Sequence, residues 1–221
     1  ASQAAAIARF EITNATSGFA NMGHVYAAPR IVKLNNGQTA LLVSNGVNST
    51  TGVSSLFVID ASNGAKLAEI SAGSGPDNGL GGLAAVDKDG NGTVDVVYAG
   101  DLKGTLWRFD LSGTSLPSSA AALFTPPSGT ERPITVTPSV MNHPLGGYLV
   151  NFGTGEAYEA SEVVSTGDEY IYGIWDSARA TASSLVTSTL STQSVTVGSL
   201  TTQYRIAGAS TVHYGSGAKG W

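Results

Sequence analysis

Cysteine is absent from the 221 residues, so neither a disulfide framework nor a thiolate metal site can form. Charge is scarce as well. Asp, Glu, Lys and Arg together make up 12% of the chain, about half the usual ~25%, and the solvated surface must be covered mainly by Ser, Thr, Asn and Gly. The charges lean acidic, 16 against 11 basic, for a formal net charge of −5. A polyanion is gripped through a basic stripe, and the Lys and Arg here are dispersed, which excludes a nucleic-acid partner. No run of about 18 apolar residues occurs, so no membrane-spanning helix is expected. Ala1-Ser2-Gln3-Ala4 lacks a basic region followed by an apolar stretch, and no signal peptide is expected there. Helical periodicity is also rare; only 2–10 and 177–186 suit a turn or two of helix.

What the chain does hold is glycine, 28 residues, scattered between short apolar runs rich in Val, Ile, Tyr, Phe and Trp. Ala40-Leu41-Leu42-Val43, Leu56-Phe57-Val58-Ile59, Thr105-Leu106-Trp107-Arg108-Phe109 and Tyr170-Ile171-Tyr172-Gly173-Ile174-Trp175 are such runs. Bounded by Gly, Asn, Asp and Ser, they predict strands of four to six residues. The runs repeat in phase. A strand at 28–32, a turn at Asn35-Asn36-Gly37, a strand at 40–43 and a strand closing on Asp60 form one copy. The second has 83–86, a turn at 87–92, 94–98 and a strand closing on Asp110; the third has 137–141, a turn at 145–147, 148–150 and a strand closing on Asp176. Such a unit, recurring at roughly 40–50 residues or slightly more, is the pattern of β-propeller blades. A β-sandwich also offers many short strands but gives no reason for them to recur in phase. The expected architecture is all-β, with residues 1–221 forming part of a single β-propeller domain of antiparallel four-stranded blades. The blade-like units are expected at about 20–70, 75–115, 130–180 and, more weakly, 190–221.

The turn of the second copy carries the chemistry. In Asp87-Lys88-Asp89-Gly90-Asn91-Gly92-Thr93-Val94-Asp95, side-chain oxygens stand at loop positions 1, 3, 5 and 9. Alternate residues of a tight loop point inward, so Asp87, Asp89 and Asn91 converge on one centre. Gly92 permits the sharp turn that aims the Thr93 carbonyl at that centre, and Asp95 closes it. A hard cation of calcium size takes six to eight oxygens at about 2.3–2.6 Å. Three carboxylates this close repel one another unless neutralised. An EF-hand would need a bidentate Glu at position 12, where Tyr98 stands here, so a strand replaces the second half of that motif. Ca²⁺ is the expected ligand, held by Asp87, Asp89, Asn91, the carbonyl of Thr93, and Asp95.

Other chemistry is thin. His24, His143 and His213 are isolated and offer no zinc spacing; they are read as turn or strand-edge side chains. Glu156, Glu159 and Glu162 would suit a glycosidase pair but are read as charged loop residues. Trp107 and Trp175 are read as equivalent packing positions of two blades.

The stretch Val86-Asp87-Lys88-Asp89-Gly90-Asn91-Gly92, continued by Val97-Tyr98-Ala99-Gly100-Asp101-Leu102-Lys103-Gly104-Thr105-Leu106-Trp107-Arg108-Phe109-Asp110-Leu111, resembles the signature of the PilY family of type IV pilus biogenesis and tip-associated adhesin proteins. Asn45-Gly46-Val47-Asn48-Ser49, Asn151-Phe152-Gly153-Thr154-Gly155 and Lys219-Gly220-Trp221 resemble flanking segments of the same family. The resemblance implies a modified β-propeller with one regulatory calcium loop and the five ligands named above. It implies an extracellular place at the bacterial surface and pilus tip, and a role in pilus assembly, in extension against retraction, and in adhesion. The implied partners are pilus components (minor pilins) and a host surface, with no small-molecule substrate and no enzymatic activity. Two alternatives stay open: a quinoprotein-dehydrogenase-like propeller enzyme, and an integrin-like protein-binding propeller with structural calcium.

Overall fold

The computed structural model describes residues 9–127, 129, 131–164, 167–177, 185–208, 210–214 and 217–221. The helical turns expected at 2–10 and 177–186 fall largely outside these residues. Among the described residues, helix is confined to one 3-10 turn, Glu162–Val164.

Strands β1 (Arg30–Lys33), β2 (Thr39–Ser44), β3 (Ser55–Asp60) and β4 (Lys66–Ser71) form an antiparallel four-stranded meander. Strands β5 (Leu80–Val86), β6 (Val96–Asp101), β7 (Leu106–Asp110) and β8 (Ala121–Phe124) form a second. The third sheet runs in the order β11-β10-β9, with β9 at Ser139–Asn142, β10 at Tyr148–Gly153 and β11 at Ile171–Asp176. The repeat is exact at one pair: Ala40↔Asp60, Val96↔Asp110 and Tyr148↔Asp176 face each other across the second and third strands of the three sheets. The all-β, propeller-like expectation therefore holds: β4 and β8 are the fourth strands of the first two blades, while the third sheet has three strands and not the four expected. Strand β8 interrupts the connection between β7 and the third sheet.

Strand β6 shows why the sheets stack. Successive side chains on a strand point to opposite faces, and every residue of β6 is buried. Val97 and Ala99 pack with Leu42, Leu56, Val58 and Ile70 of the first sheet. Val96 and Tyr98 pack with Val150, Phe152 and Ile174 of the third. A strand apolar on both faces needs a neighbour on both sides, and each large side chain so buried contributes roughly 1.5–3 kcal/mol. The outer face of the first sheet is covered by the chain's own 12–25 segment, through Phe19, Met22 and Val25 against Phe57 and Ile59. Close approach between layers needs small residues. A Cβ on Gly100 would lie 2.2 Å from Ile134 Cβ.

A polar seam joins the second and third sheets. The Tyr98 hydroxyl donates to Asp176 Oδ2 at 2.5 Å, and Arg108 Nε donates to the same oxygen at 3.0 Å. Burial first, then the bond to Asp176 and its charge, push the Tyr98 phenol well above its ordinary pKa. Burial pulls the Arg108 guanidinium down, but Asp176 and Asp110 outweigh it and hold the group above its ordinary value.

Two readings need correction. The segment expected as a fourth unit, about 190–221, contains a two-stranded ribbon, β12 (Leu190–Val197) and β13 (Leu200–Ala207), which pair with each other. Every residue of the ribbon is exposed. The chain then returns to the third sheet: Gly173 N–H donates to Trp221 O at 2.8 Å and Trp175 N–H to Lys219 O at 2.7 Å. Residues 219–221 thus lie alongside β11. The apolar side chains of the ribbon are exposed, so it forms a hairpin and not a packed blade. The second correction concerns Trp107 and Trp175. Aligned on the closing aspartates, Trp107 matches Gly173, and Trp175 matches Phe109. The two tryptophans are two positions out of register; Trp107 packs toward the first sheet, whereas Trp175 stacks on His143.

Candidate metal centre

The nine residues Asp87 to Asp95 connect β5 to β6, whose Val86 and Val96 face each other directly. A nine-residue connection between paired strands has to curl, and the glycines make that possible. Gly92 sits at φ +86° and Gly90 at φ +75°, the left-handed region that side-chain-bearing residues avoid. Backbone N–H groups then turn inward. Gly90 donates to Asp87 Oδ1 at 2.8 Å and Gly92 to Asp87 Oδ2 at 2.7 Å. These bonds, that of Gly92 foremost, hold the Asp87 carboxyl below its ordinary pKa despite the opposing effect of burial. Asn91 N–H donates to Asp89 Oδ1 at 3.1 Å, and Thr93 N–H to Asn91 Oδ1 at 2.8 Å.

Asp95 is anchored differently. It lies just before β6, with only 6% of its surface exposed. Its N–H donates to Val86 O and its carbonyl accepts from Leu111 N–H. Its Oδ2 accepts the Lys88 N–H at 2.7 Å. One oxygen from each of Asp87, Asp89 and Asp95 lies within 4.8 Å of the others. Among the described residues this is the group of three acids near enough to share an ion. All five residues expected to bind calcium therefore sit on one curled loop, and the structure brings the three carboxylates together. The donors are hard oxygens, and a divalent cation could sit among them. Calcium fits this set, and soft-ligand metals do not.

Two further residues flank the loop and escaped the sequence reading. Asn35, from the β1–β2 turn, reaches it from the first sheet. Its Nδ2 donates to Val94 O at 2.9 Å, to Leu111 O at 3.0 Å and, longer, to Asp95 Oδ1 at 3.3 Å. Its Oδ1 accepts the Thr93 hydroxyl at 2.9 Å. Tyr148, at the start of β10, approaches from the third sheet. Burial, then the charges of Asp95 and Asp87, raise its phenol pKa. The available signal was phase: the turn of Asn35 occupies the same place in its unit as the acidic loop does in the next.

The remaining candidates resolve into structural roles. His143 is buried in the β9–β10 turn, its ring 4.4 Å from that of Trp175, and Nδ1 accepts the Leu145 N–H at 3.1 Å. Glu162 Oε2 accepts the N–H groups of Tyr158 and Glu159 and so closes the 3-10 turn. Glu156 is raised above its ordinary pKa by burial, then by the charges of Glu162, Glu169 and Glu159.

Residues 13–216 match the family described as the PilY1 beta-propeller domain. The Type IV pilus biogenesis factor PilY1 homolog of Xylella fastidiosa is 38% identical over 180 residues, covering 71% of this chain and 12% of that protein. The Type IV pilus biogenesis factor PilY1 of Pseudomonas aeruginosa is 32% identical over 184 residues, covering 71% of this chain and 16% of that one. The crystal structure of the Pseudomonas aeruginosa PilY1 C-terminal domain superposes with a TM-score of 0.80 at 27% identity, over 96% of this chain and 52% of that one. The chain thus spans about half of the matched structure and under a fifth of the curated relatives. No helix among the described residues is long and apolar enough to cross a membrane.

Proposed function

Since the chain belongs to the PilY1 β-propeller family of type IV pilus biogenesis factors, we propose that it is the calcium-binding part of such a factor. In this reading it works without catalysis at the bacterial surface and pilus tip. Calcium on the β5–β6 loop orders a surface that contacts pilus components such as minor pilins, and a host surface during adhesion. The observation that carries the reading is the convergence of Asp87, Asp89 and Asp95 oxygens within 4.8 Å on a loop curled by Gly90 and Gly92. Asp87, Asp89, Asn91, Asp95 and the Thr93 carbonyl would hold the ion.

When bound, the ion supplies positive charge that removes the repulsion among the three carboxylates. The chain's residues do the rest. Asp87 is pre-set by two inward N–H groups, Asp95 is fixed by the Lys88 N–H, and the exposed tip carrying Asp89 and Asn91 closes last. This is an order–disorder bias on a loop, which is how ion binding becomes a regulatory signal for extension against retraction. An ion at a hundred times its dissociation constant stabilises the folded chain by about 2.7 kcal/mol.

Calorimetric titration of the chain with calcium tests the reading. The expected dissociation constant lies on the order of 10⁻⁷ to 10⁻⁴ M, and Asp89→Ala, which alters an exposed side chain, should weaken it at least tenfold or so. Absence of binding up to millimolar calcium sinks the proposal.

A further inference from the structure

We propose that Asn35, on the hairpin turn of the first sheet, is a positioning residue for the calcium loop of the second, so that ion binding ties the two sheets together. The inference rests on the calcium reading above, and adds a residue outside the loop and a route by which the ion is felt beyond it.

The contacts fall on the half of the loop that the tip does not control. Lys33 O accepts the Val94 N–H at 2.8 Å. Asn35 Nδ2 holds Val94 O and Leu111 O and reaches Asp95 Oδ1. Asn35 Oδ1 takes the Thr93 hydroxyl. Three consecutive residues, Thr93, Val94 and Asp95, are thereby fastened to residues 33–35. The first offers its carbonyl to the ion and the third its carboxylate. The tip ligands Asp87, Asp89 and Asn91 bond only within the loop. One side of the site is thus built on a neighbouring sheet and the other closes onto it. Ligands whose orientation is fixed before the ion arrives lose less freedom on binding, and outer-shell partners of this kind are worth roughly 10–100-fold in metal affinity.

The Thr93 hydroxyl makes the coupling two-way. It has one proton and two acceptors, Asn91 Oδ1 at 2.5 Å and Asn35 Oδ1 at 2.9 Å. An ion that engages Asn91 Oδ1 leaves Asn35 as the acceptor, so binding tightens the clasp between sheets. By linkage the clasp then tightens binding by the same factor.

The test is calcium calorimetry and calcium-free melting on the whole chain and four variants: Asn35→Ala, Thr93→Val, the two combined, and Asn36→Ala. Thr93→Val keeps the ligating carbonyl. Asn36, in the same turn, bonds Gln38 and not the loop. Asn35→Ala is expected to weaken calcium roughly 10–100-fold and Thr93→Val several-fold, with no further loss when the two are combined. Asn36→Ala should bind like the unchanged chain. A purely structural asparagine would lower the calcium-free melting temperature yet leave the dissociation constant within about twofold, and that result overturns the proposal. Should Asn35→Ala fail to fold, an unchanged affinity in Thr93→Val overturns it instead. If the unchanged chain binds no calcium, the calcium reading falls and this one with it. If the chain binds and the variants bind equally well, only the role of Asn35 falls.

Discussion

Replacing Tyr98 with phenylalanine deletes one oxygen from the seam between the second and third sheets and leaves the ring in place. Tyr98 has none of its surface exposed. Its hydroxyl donates to a carboxylate that is itself 8% exposed and already bonded by Arg108 Nε. A hydrogen bond to a charged group is worth about 1.5–3 kcal/mol, and no cavity larger than one oxygen opens. The expected loss is about 2 kcal/mol, which for a chain of this length lowers the melting temperature by about 4–8 °C. Asp176→Ala should cost more, about 3–5 kcal/mol, because two buried donors, the Tyr98 O–H and Arg108 Nε–H, then lose their shared acceptor. Urea unfolding of the two single variants and the double gives the coupling, and an unchanged denaturant slope certifies that only the native state was altered. A Tyr98→Phe loss below about 0.5 kcal/mol refutes the reasoning, since it means that water takes over the hydroxyl's role in the seam.

Gly92→Ala meets no atom within 4 Å, so its whole effect is the strain of φ +86°. About 1–2 kcal/mol should appear in folding stability, measured by melting of the calcium-free chain. Gly100→Ala instead drives a methyl to 2.2 Å from Ile134 Cβ, and overpacking should cost about 1–3 kcal/mol with calcium affinity unchanged. Burial holds His143 below its ordinary pKa of 6.5. The unfolded chain therefore takes that proton first, and the contribution is complete above about 6.5 and lost as pH falls through the lower folded value. A stability–pH profile of His143→Phe should be flatter than the original across that window, and coinciding profiles would contradict the assignment. Replacing 190–207 by a short Gly/Ser link should leave the melting temperature within about 2 °C, because an isolated two-stranded ribbon adds little stability; a large drop would show that the ribbon packs.

The loop and the in-phase strands were legible because both are local. Asp87, Asp89, Asn91 and Asp95 lie within nine residues, and a hairpin connection of that length brings its own alternate side chains together. The recurring aspartate is local too, which is why Ala40↔Asp60, Val96↔Asp110 and Tyr148↔Asp176 come out in the same register. What escaped is what depends on the neighbour. Strands β4 and β8 carry weak apolar patterns, Lys-Leu-Ala-Glu-Ile-Ser and Ala-Ala-Leu-Phe, and become strands because β3 and β7 offer them an unpaired edge. The ribbon β12–β13 shows the reverse, a strong strand pattern with no sheet to join. Asn35 carried no signal of its own, since an Asn-Asn-Gly turn needs no function to explain it. Trp107 and Trp175 share a residue type but not a register, since the closing aspartates pair Trp107 with Gly173.

Register also explains why, among the described residues, the acidic cluster stands in one unit and not in its neighbours. The β1–β2, β5–β6 and β9–β10 turns stand at the same place in three stacked sheets, so each is within reach of the next. Chemistry at that place is therefore shared across sheets rather than repeated within each. The first turn supplies a neutral amide clasp in Asn35, the second the carboxylates, and the third leads into Tyr148, whose phenol feels the charges of Asp95 and Asp87. A second acidic loop next door would add like charge at short range, and the repulsion would raise the cost of folding before any ion arrived. Neutral turns on either side avoid that cost and hold the acidic loop in place. Installing carboxylates in the first turn, as Asn35→Asp with Asn36→Asp, should accordingly destabilise the calcium-free chain more than either change alone, and added calcium should recover part of the loss. Equal calcium-free stability of that double variant and the original chain would mean that the turns do not sense one another's charge, and the argument from register would fail.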